Sequence, residues 1–334
     1  MNSAIWNAQH PVRQLMLKRR AENSQPGQRA DNCKLGVAVE GGGIRGVVSA
    51  AMLCALEDLG FDDVFDDIYA CSSGAINASY FLNRRTWFPL TIYFDDLTTG
   101  EFLDFRRLLR GQAPMDIDFV FDEVLEKRKP LGYQKIIDAP QPLHVMVTDV
   151  DHLRAVVVAD FREVNDLRSA LRASAWLPLA TKGTTQFRDY AAIDGGIIRF
   201  HPYRAALDDN CTHILSLSTR PIGPPRSKVS LMNRYTMTRL EKMRAGLGDR
   251  YISGVTEYLT KDRPFLAKSR KDLASQPSVL DIAPNPGTAE VKRNEQDRRL
   301  ILDGAAAAFE SIYEIFELRD VSALVRFDVV DRCR

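Results

Sequence analysis

The stretch YACSSGAINASY, residues 69–80, decides how this chain is read. A short apolar approach, Ile68-Tyr69-Ala70-Cys71, delivers Ser72 and runs at once into Ser73-Gly74-Ala75-Ile76-Asn77-Ala78. Small residues flank the serine where a strand must turn sharply into a helix, because bulky side chains would clash across such a turn. That geometry pushes the Ser72 hydroxyl out of the backbone, above a helix N-terminus that favours developing negative charge. The elbow pattern of a nucleophilic serine is G-x-S-x-G, whereas residues 70–74 read A-C-S-S-G. Taken alone, the motif also fits a serine-rich strand-to-helix loop.

Upstream, KLGVAVE at 34–40 is an apolar run with strand propensity. It opens onto Gly41-Gly42-Gly43-Ile44-Arg45-Gly46. Glycines at this density cost backbone entropy and are expected where main-chain N–H groups approach a ligand, not as a packing device. Residues 47–59, VVSAAMLCALEDL, predict a helix. Gly42 and Gly43 then sit between a strand end and a helix N-terminus, a place that welcomes an anion. A dinucleotide fingerprint can be forced onto Gly41, Gly43 and Gly46, but the next strand ends in the serine turn. A phosphate-binding Walker loop is excluded, as no Gly-Lys-Ser/Thr follows.

Downstream, YAAIDGG at 190–196 ends a short apolar run in Asp194, followed by two glycines. An aspartate capping its own loop explains this alone; beside a serine elbow and a glycine loop, a chemical role gains weight. Two loops from the first two strands should lie side by side at the carboxyl edge of a sheet, as an oxyanion hole beside a nucleophile requires.

The remaining segments read as scaffold. Residues 82–129 carry many bulky apolar side chains in weakly periodic order, so a lid, a wall of an acyl groove and ordinary packing all fit. Residues 143–148 and 153–159 predict a β-hairpin holding His144 and His152; with no cysteine or carboxylate cluster at ligand spacing, neither histidine suggests a metal. A helix follows from 165, stopped by Pro178, with small residues Ala170, Ala173, Ser174 and Ala175 suited to close approach. Residues 213–219 and 279–283 read as strands, and 234–260 and 264–273 as basic helices whose charge is mostly solvated surface, with headgroup contact the minority reading. Residues 295–318 give one long helix or two.

In order along the chain stand GGGIRG at 41–46, ACSSG at 70–74, LRASAWLP at 171–178 and DGG at 194–196. With these four the sequence resembles the patatin-like phospholipase family over residues 34–318. Two departures are Ala70 in place of a glycine and Arg199-Phe200-His201-Pro202 where Asn-x-Pro often follows DGG. The resemblance implies a three-layer α/β/α fold with a mixed central sheet, related to α/β hydrolases. It implies Ser72 as nucleophile, Asp194 as its base, and Gly42, Gly43 and Ile44 as oxyanion-hole residues, with Arg45 steadying the loop or meeting a phosphate. The implied activity is hydrolysis of lipid carboxylic esters of the phospholipase A or lysophospholipase type through an acyl-enzyme. It needs no cofactor and no metal, and implies a visit to the membrane surface. His201 is set aside as a third catalytic member, because a proline follows it and the family pattern has no catalytic histidine. A hydrolase of small soluble esters or thioesters, and a lipid-binding protein without turnover, are the alternatives.

Composition bounds the rest. The 334 residues suffice for one large α/β domain or two modest ones, and the resemblance implies a catalytic domain, 34–320, between an N-terminal extension, 1–33, and a tail, 321–334. Hydrophobic content of 45%, charged content of 27% and a net charge of +1 are ordinary for a globular protein and give no reason to expect nucleic acid. Five widely spaced cysteines without a CxxC pair read as free thiols in a reducing, cytoplasmic setting. Neither a signal peptide nor a transmembrane helix is expected. Residues 9–20 predict a basic amphipathic helix, either docked on the domain, frayed, or lying on a membrane.

Overall fold

The structure is a computed structural model that describes residues 5–224 and 228–316; the expected tail, with Cys333, lies outside them. Among the described residues, eight strands form one sheet in the order β5-β6-β3-β2-β1-β7-β8, with β4 paired to β3. They are β1 Leu35–Val39, β2 Asp67–Cys71, β3 Leu143–Asp149, β4 Arg154–Val158, β5 Thr185–Phe187, β6 Tyr190–Asp194, β7 His213–Leu217 and β8 Ser278–Ile282. Strands β3, β2, β1, β7 and β8 run parallel, whereas β4 and β6 pair antiparallel with β3. The sheet is therefore mixed, as expected, and β5 is an addition to the elements read from sequence.

The parallel core strands are covered on both faces, which is why β1 and β2 read as unbroken small-and-apolar runs instead of alternating with polar residues. Leu35, Val37 and Val39 of β1 face one buried cluster, built with the helices Val47–Asp58, Ser73–Leu82, Trp87–Asp95, Val164–Ala175 and Arg298–Phe316. Ala38, Tyr69 and Cys71 face the opposite layer, where Tyr203, Ala206 and Leu266 close over them. Helices Leu231–Met243 and Leu247–Glu257 extend that second layer over Ile193 at the β6 end. The result is three layers, helix on sheet on helix.

The N-terminal segment adopts the docked alternative. Helix Pro11–Ala21 buries Val12, Leu15 and Met16 in the main cluster. Arg19 is fully buried, with Asp31 at 2.7 Å and Asp66 at 2.8 Å. Of the stretch 295–318, the described residues hold one helix, Arg298–Phe316, and 317–318 lie outside them.

Candidate active site

Register brings the two acidic and nucleophilic motifs to one place. Cys71, the last residue of β2, pairs with Met146 of β3, and the next residue of β3, Val147, pairs with Asp194. Ser72 follows directly, with φ +56° and ψ −141°, and the helix Ser73–Leu82 begins after it. A non-glycine residue at such angles is strained, and it persists because neighbours hold it. The holder is Ser174: its hydroxyl accepts the Ser72 N–H at 2.8 Å and donates to the Met146 carbonyl at 2.7 Å. The sequence does not announce this role, since Ser174 stands there as one small residue among several in a helix.

Close approach around the turn explains the glycines. A Cβ on Gly41 would lie 2.4 Å from the Cys71 carbonyl oxygen and 2.7 Å from Ser72 Cβ. The expectation that the glycine run is no packing device is thus corrected: Gly41 exists so that the two loops can touch. Gly43 is different, with φ +62° and its N–H without a protein acceptor among the described residues. The Gly42 N–H donates to Ser73 Oγ at 3.0 Å, and the Ile44 N–H to the Arg293 carbonyl at 3.0 Å. Of the three amides expected at an oxyanion hole, one is free of protein partners and two are engaged.

Asp194 is buried, its carboxylate accepting the Gly196 N–H at 2.7 Å while its backbone amide donates to the Trp176 carbonyl at 2.9 Å. Burial pushes its pKa above the ordinary aspartate value, while the Ser72 hydroxyl, the Gly196 N–H and the Arg293 charge pull against that rise. Asp194 and Ser72 line one cavity, and a buried carboxylate of raised basicity is suited to accept a proton there. Neighbouring Cys71 is a poor rival nucleophile, since burial pushes its thiol far up, away from the thiolate form.

Arg45 lies within a buried polar network beside the glycine loop. It is buried, its Nε donates to Thr219 Oγ1 at 3.0 Å, and Glu290 lies 3.9 Å away. Burial, with Arg220 and Arg293 nearby, presses its pKa downward, and Glu40 opposes this. Glu40 closes the network by accepting the Thr219 N–H at 2.6 Å. Burial favours its neutral form, but His201, Arg45, Arg220 and the Thr219 N–H outweigh that and hold its pKa at about 2. His201 is buried away from the serine: Nδ1 accepts the Tyr203 N–H at 3.2 Å and Nε2 meets Ser218 Oγ at 3.3 Å.

Two cavities meet at Ser72. The wider one, about 330 Å³, is lined by Gly42, Gly43, Ser72, Asp194 and Arg293 on its floor, with Phe105 and Met232 towards solvent. The narrower, about 60 Å³, runs from Ser72 and Gly43 between Ile92, Phe102, Val120 and Phe121. Residues 82–129, which sequence left between lid, groove wall and packing, thus both pack in the main core and wall this cavity.

The expectation that His144 has no carboxylate cluster is also corrected. His144 Nε2 lies 2.8 Å from Asp67 and 3.9 Å from Asp209, at the sheet edge opposite Ser72. The Lys34 ammonium stands among them, 2.8 Å from Asp209 and 3.4 Å from Asp67, and already supplies the positive charge a cation would bring. His152 instead bonds to Asp149 at 2.8 Å. No described helix is long and apolar enough to cross a membrane.

Comparison with known proteins follows the same lines. No curated protein sequence matches the chain. Among solved structures it is similar to VipD from Legionella pneumophila, at 12% identity and TM-score 0.48, covering 86% of this chain and 67% of that one. It is also similar to human GIVD cytosolic phospholipase A2, solved with methyl gamma-linolenyl fluorophosphonate, at 12% identity and TM-score 0.35, covering 95% of this chain and 64% of that one. The family model "Patatin-like phospholipase" matches residues 37–207, more than half of the 334-residue chain. The chain belongs to the patatin-like phospholipase family.

Proposed function

We propose that the protein is a serine acyl hydrolase that cleaves carboxylic esters of lipids with a Ser72–Asp194 dyad. The observation that carries this reading is that the strained Ser72 turn and the buried Asp194 line one cavity together with the Gly43 N–H, unpartnered among the described residues. In the reaction, Ser72 Oγ attacks the ester carbonyl while Asp194 takes its proton. The tetrahedral oxyanion meets the Gly43 N–H, and the Ile44 N–H joins once the Arg293 carbonyl moves aside. Asp194 then returns the proton to the departing alcohol. A water, activated by the same carboxylate, hydrolyses the acyl-Ser72 ester and restores the free serine.

Substrate class follows from the narrower cavity. Its walls are almost wholly apolar and it ends at the nucleophile, so it suits a hydrocarbon chain attached to the reacting carbonyl. On this reading Ile92, Phe102, Val120 and Phe121, within residues 82–129, serve as the acyl-groove wall of the catalytic domain. The test is hydrolysis of p-nitrophenyl esters from short to long acyl chain by wild type, Ser72→Ala and Asp194→Ala. We expect activity that rises with chain length and vanishes in both variants. Activity confined to short chains would move the substrate to small esters, and full activity in Asp194→Ala would remove the dyad.

A further inference from the structure

The largest exposed apolar side chains are not scattered. Leu109, Leu231 and Met232 are 90%, 85% and 67% exposed, the highest values among the exposed large apolar residues described. All three lie on two helices, Phe105–Arg110 and Leu231–Met243, and each helix contributes an exposed residue to the lining of the Ser72 cavity, Phe105 from one and Met232 from the other. Leu108 and Tyr235 add to the same two surfaces. Apolar groups gathered around a cavity mouth mark a surface that something covers.

Charge says what covers it. The helix Phe105–Arg110, FRRLLR, contains three arginines and no acid. Arg106 and Arg110 are exposed with no ion-pair partner among the described residues, while Arg107 lies 3.5 Å from Asp116. On Leu231–Met243, Arg234, Arg239 and Lys242 are exposed, and the single acid, Glu241, is turned to the Gly246 and Gly248 amides at 2.8 and 3.1 Å. Apolar side chains interleaved with unpaired guanidinium groups are the chemistry of an interfacial helix on an anionic bilayer: leucines enter the acyl boundary while arginines stay with the phosphates.

We propose that these two helices form a docking surface for anionic phospholipid membranes and seat the cavity mouth on the bilayer. The proposal rests on the reading of the protein as a lipid acyl hydrolase only for its purpose; docking itself needs no turnover. It is tested with full-length Ser72→Ala protein sedimented with vesicles of phosphatidylcholine alone or with one-third phosphatidylglycerol. We expect binding to the anionic vesicles that weakens with added salt, and little to the neutral ones. Leu109→Asp with Leu231→Asp, and separately Arg106→Glu with Arg234→Glu, should each reduce vesicle binding about tenfold or more.

The same substitutions in an otherwise wild-type chain should leave hydrolysis of soluble p-nitrophenyl butyrate within about twofold, which also reports that they fold. Absence of vesicle binding, or binding that neither pair reduces, would overturn the proposal. So would a dimer that the substitutions dissociate without any vesicle binding, since the surface would then join two copies. Vesicle binding without ester turnover in the wild type would leave docking standing and remove the catalytic reading.

Discussion

Ser174 holds Ser72: one hydroxyl accepts the elbow amide at 2.8 Å and donates to the Met146 carbonyl at 2.7 Å, tying the Ser72 backbone to β3. The left-handed φ of +56° at Ser72 is maintained across a gap of 102 residues in sequence. Ser174→Ala would remove the partner of the part-buried Ser72 N–H, at a cost of about 1–3 kcal/mol in stability. Because the hydroxyl of Ser72 would lose its fixed direction, we expect kcat to fall by about tenfold or more with KM little changed. Steady-state kinetics beside a denaturant melt would measure both; an unaltered kcat would reduce Ser174 to a packing residue.

Gly43 offers a sharper test of the amide loop. Its φ is +62°, and a Cβ would stand 2.7 Å from the Arg293 carbonyl oxygen. Gly43→Ala should cost about 10²–10³ in kcat by displacing the free amide. Gly60→Ala is the control: its φ is +71° but nothing lies within 4 Å, so only backbone strain of about 1 kcal/mol is expected and activity should persist. Equal activity in both variants would contradict an oxyanion role for the Gly43 loop.

On the proposed dyad, Asp194 sets the acid limb of the pH profile. Burial raises its pKa above 3.8, and the protonated carboxyl cannot accept the serine proton. Activity should therefore fall as pH drops through a value higher than that of an ordinary aspartate. Arg293 works to lower this pKa, so Arg293→Gln should move the limb to higher pH. A downward or absent movement in kcat/KM profiles would refute the placement of Arg293 beside the base.

The N-terminal helix belongs to the folded body, and Arg19 is the residue that shows it. Its guanidinium satisfies Asp31 and Asp66 and donates to the carbonyls of Val64 at 2.8 Å and Cys33 at 2.7 Å. Arg19→Met would strand these groups at a cost of about 3–5 kcal/mol. The hydrogen bond from Arg19 is the main cause holding the Asp31 pKa at about 2, with burial opposing it. A depressed carboxylate stabilises above its unfolded pKa near 3.8, and that contribution is lost as pH falls through about 2. Thermal melts between pH 2 and 5 should show this acid-side loss in wild type and a smaller one in Arg19→Met.

The legible parts of this chain are those whose chemistry is local. KLGVAVE reads as a strand from its apolar run, which is apolar because both faces of the strand are covered, and Ser72 and Asp194 stand at strand ends marked by glycine. What was not legible depends on partners far away in sequence. Ser174 meets Ser72 across 102 positions, and Glu40 meets Thr219 across 179. Arg293 reaches the glycine loop through a backbone carbonyl, which no side-chain pattern announces. Strand β5 spans three residues, too few for a period-two signal. The Asp67, His144 and Asp209 group draws on three separate elements, so its spacing in sequence carries no signature.

Covalent labelling tests the Ser72–Asp194 account most directly. Wild type, Ser72→Ala and Asp194→Asn would each be treated with an alkyl fluorophosphonate and the modified peptide located by mass spectrometry. We expect one phosphonyl adduct on Ser72 in wild type, none in Ser72→Ala, and labelling slowed about a hundredfold or more in Asp194→Asn. An adduct on another residue, or equal labelling rates in wild type and Asp194→Asn, would contradict it.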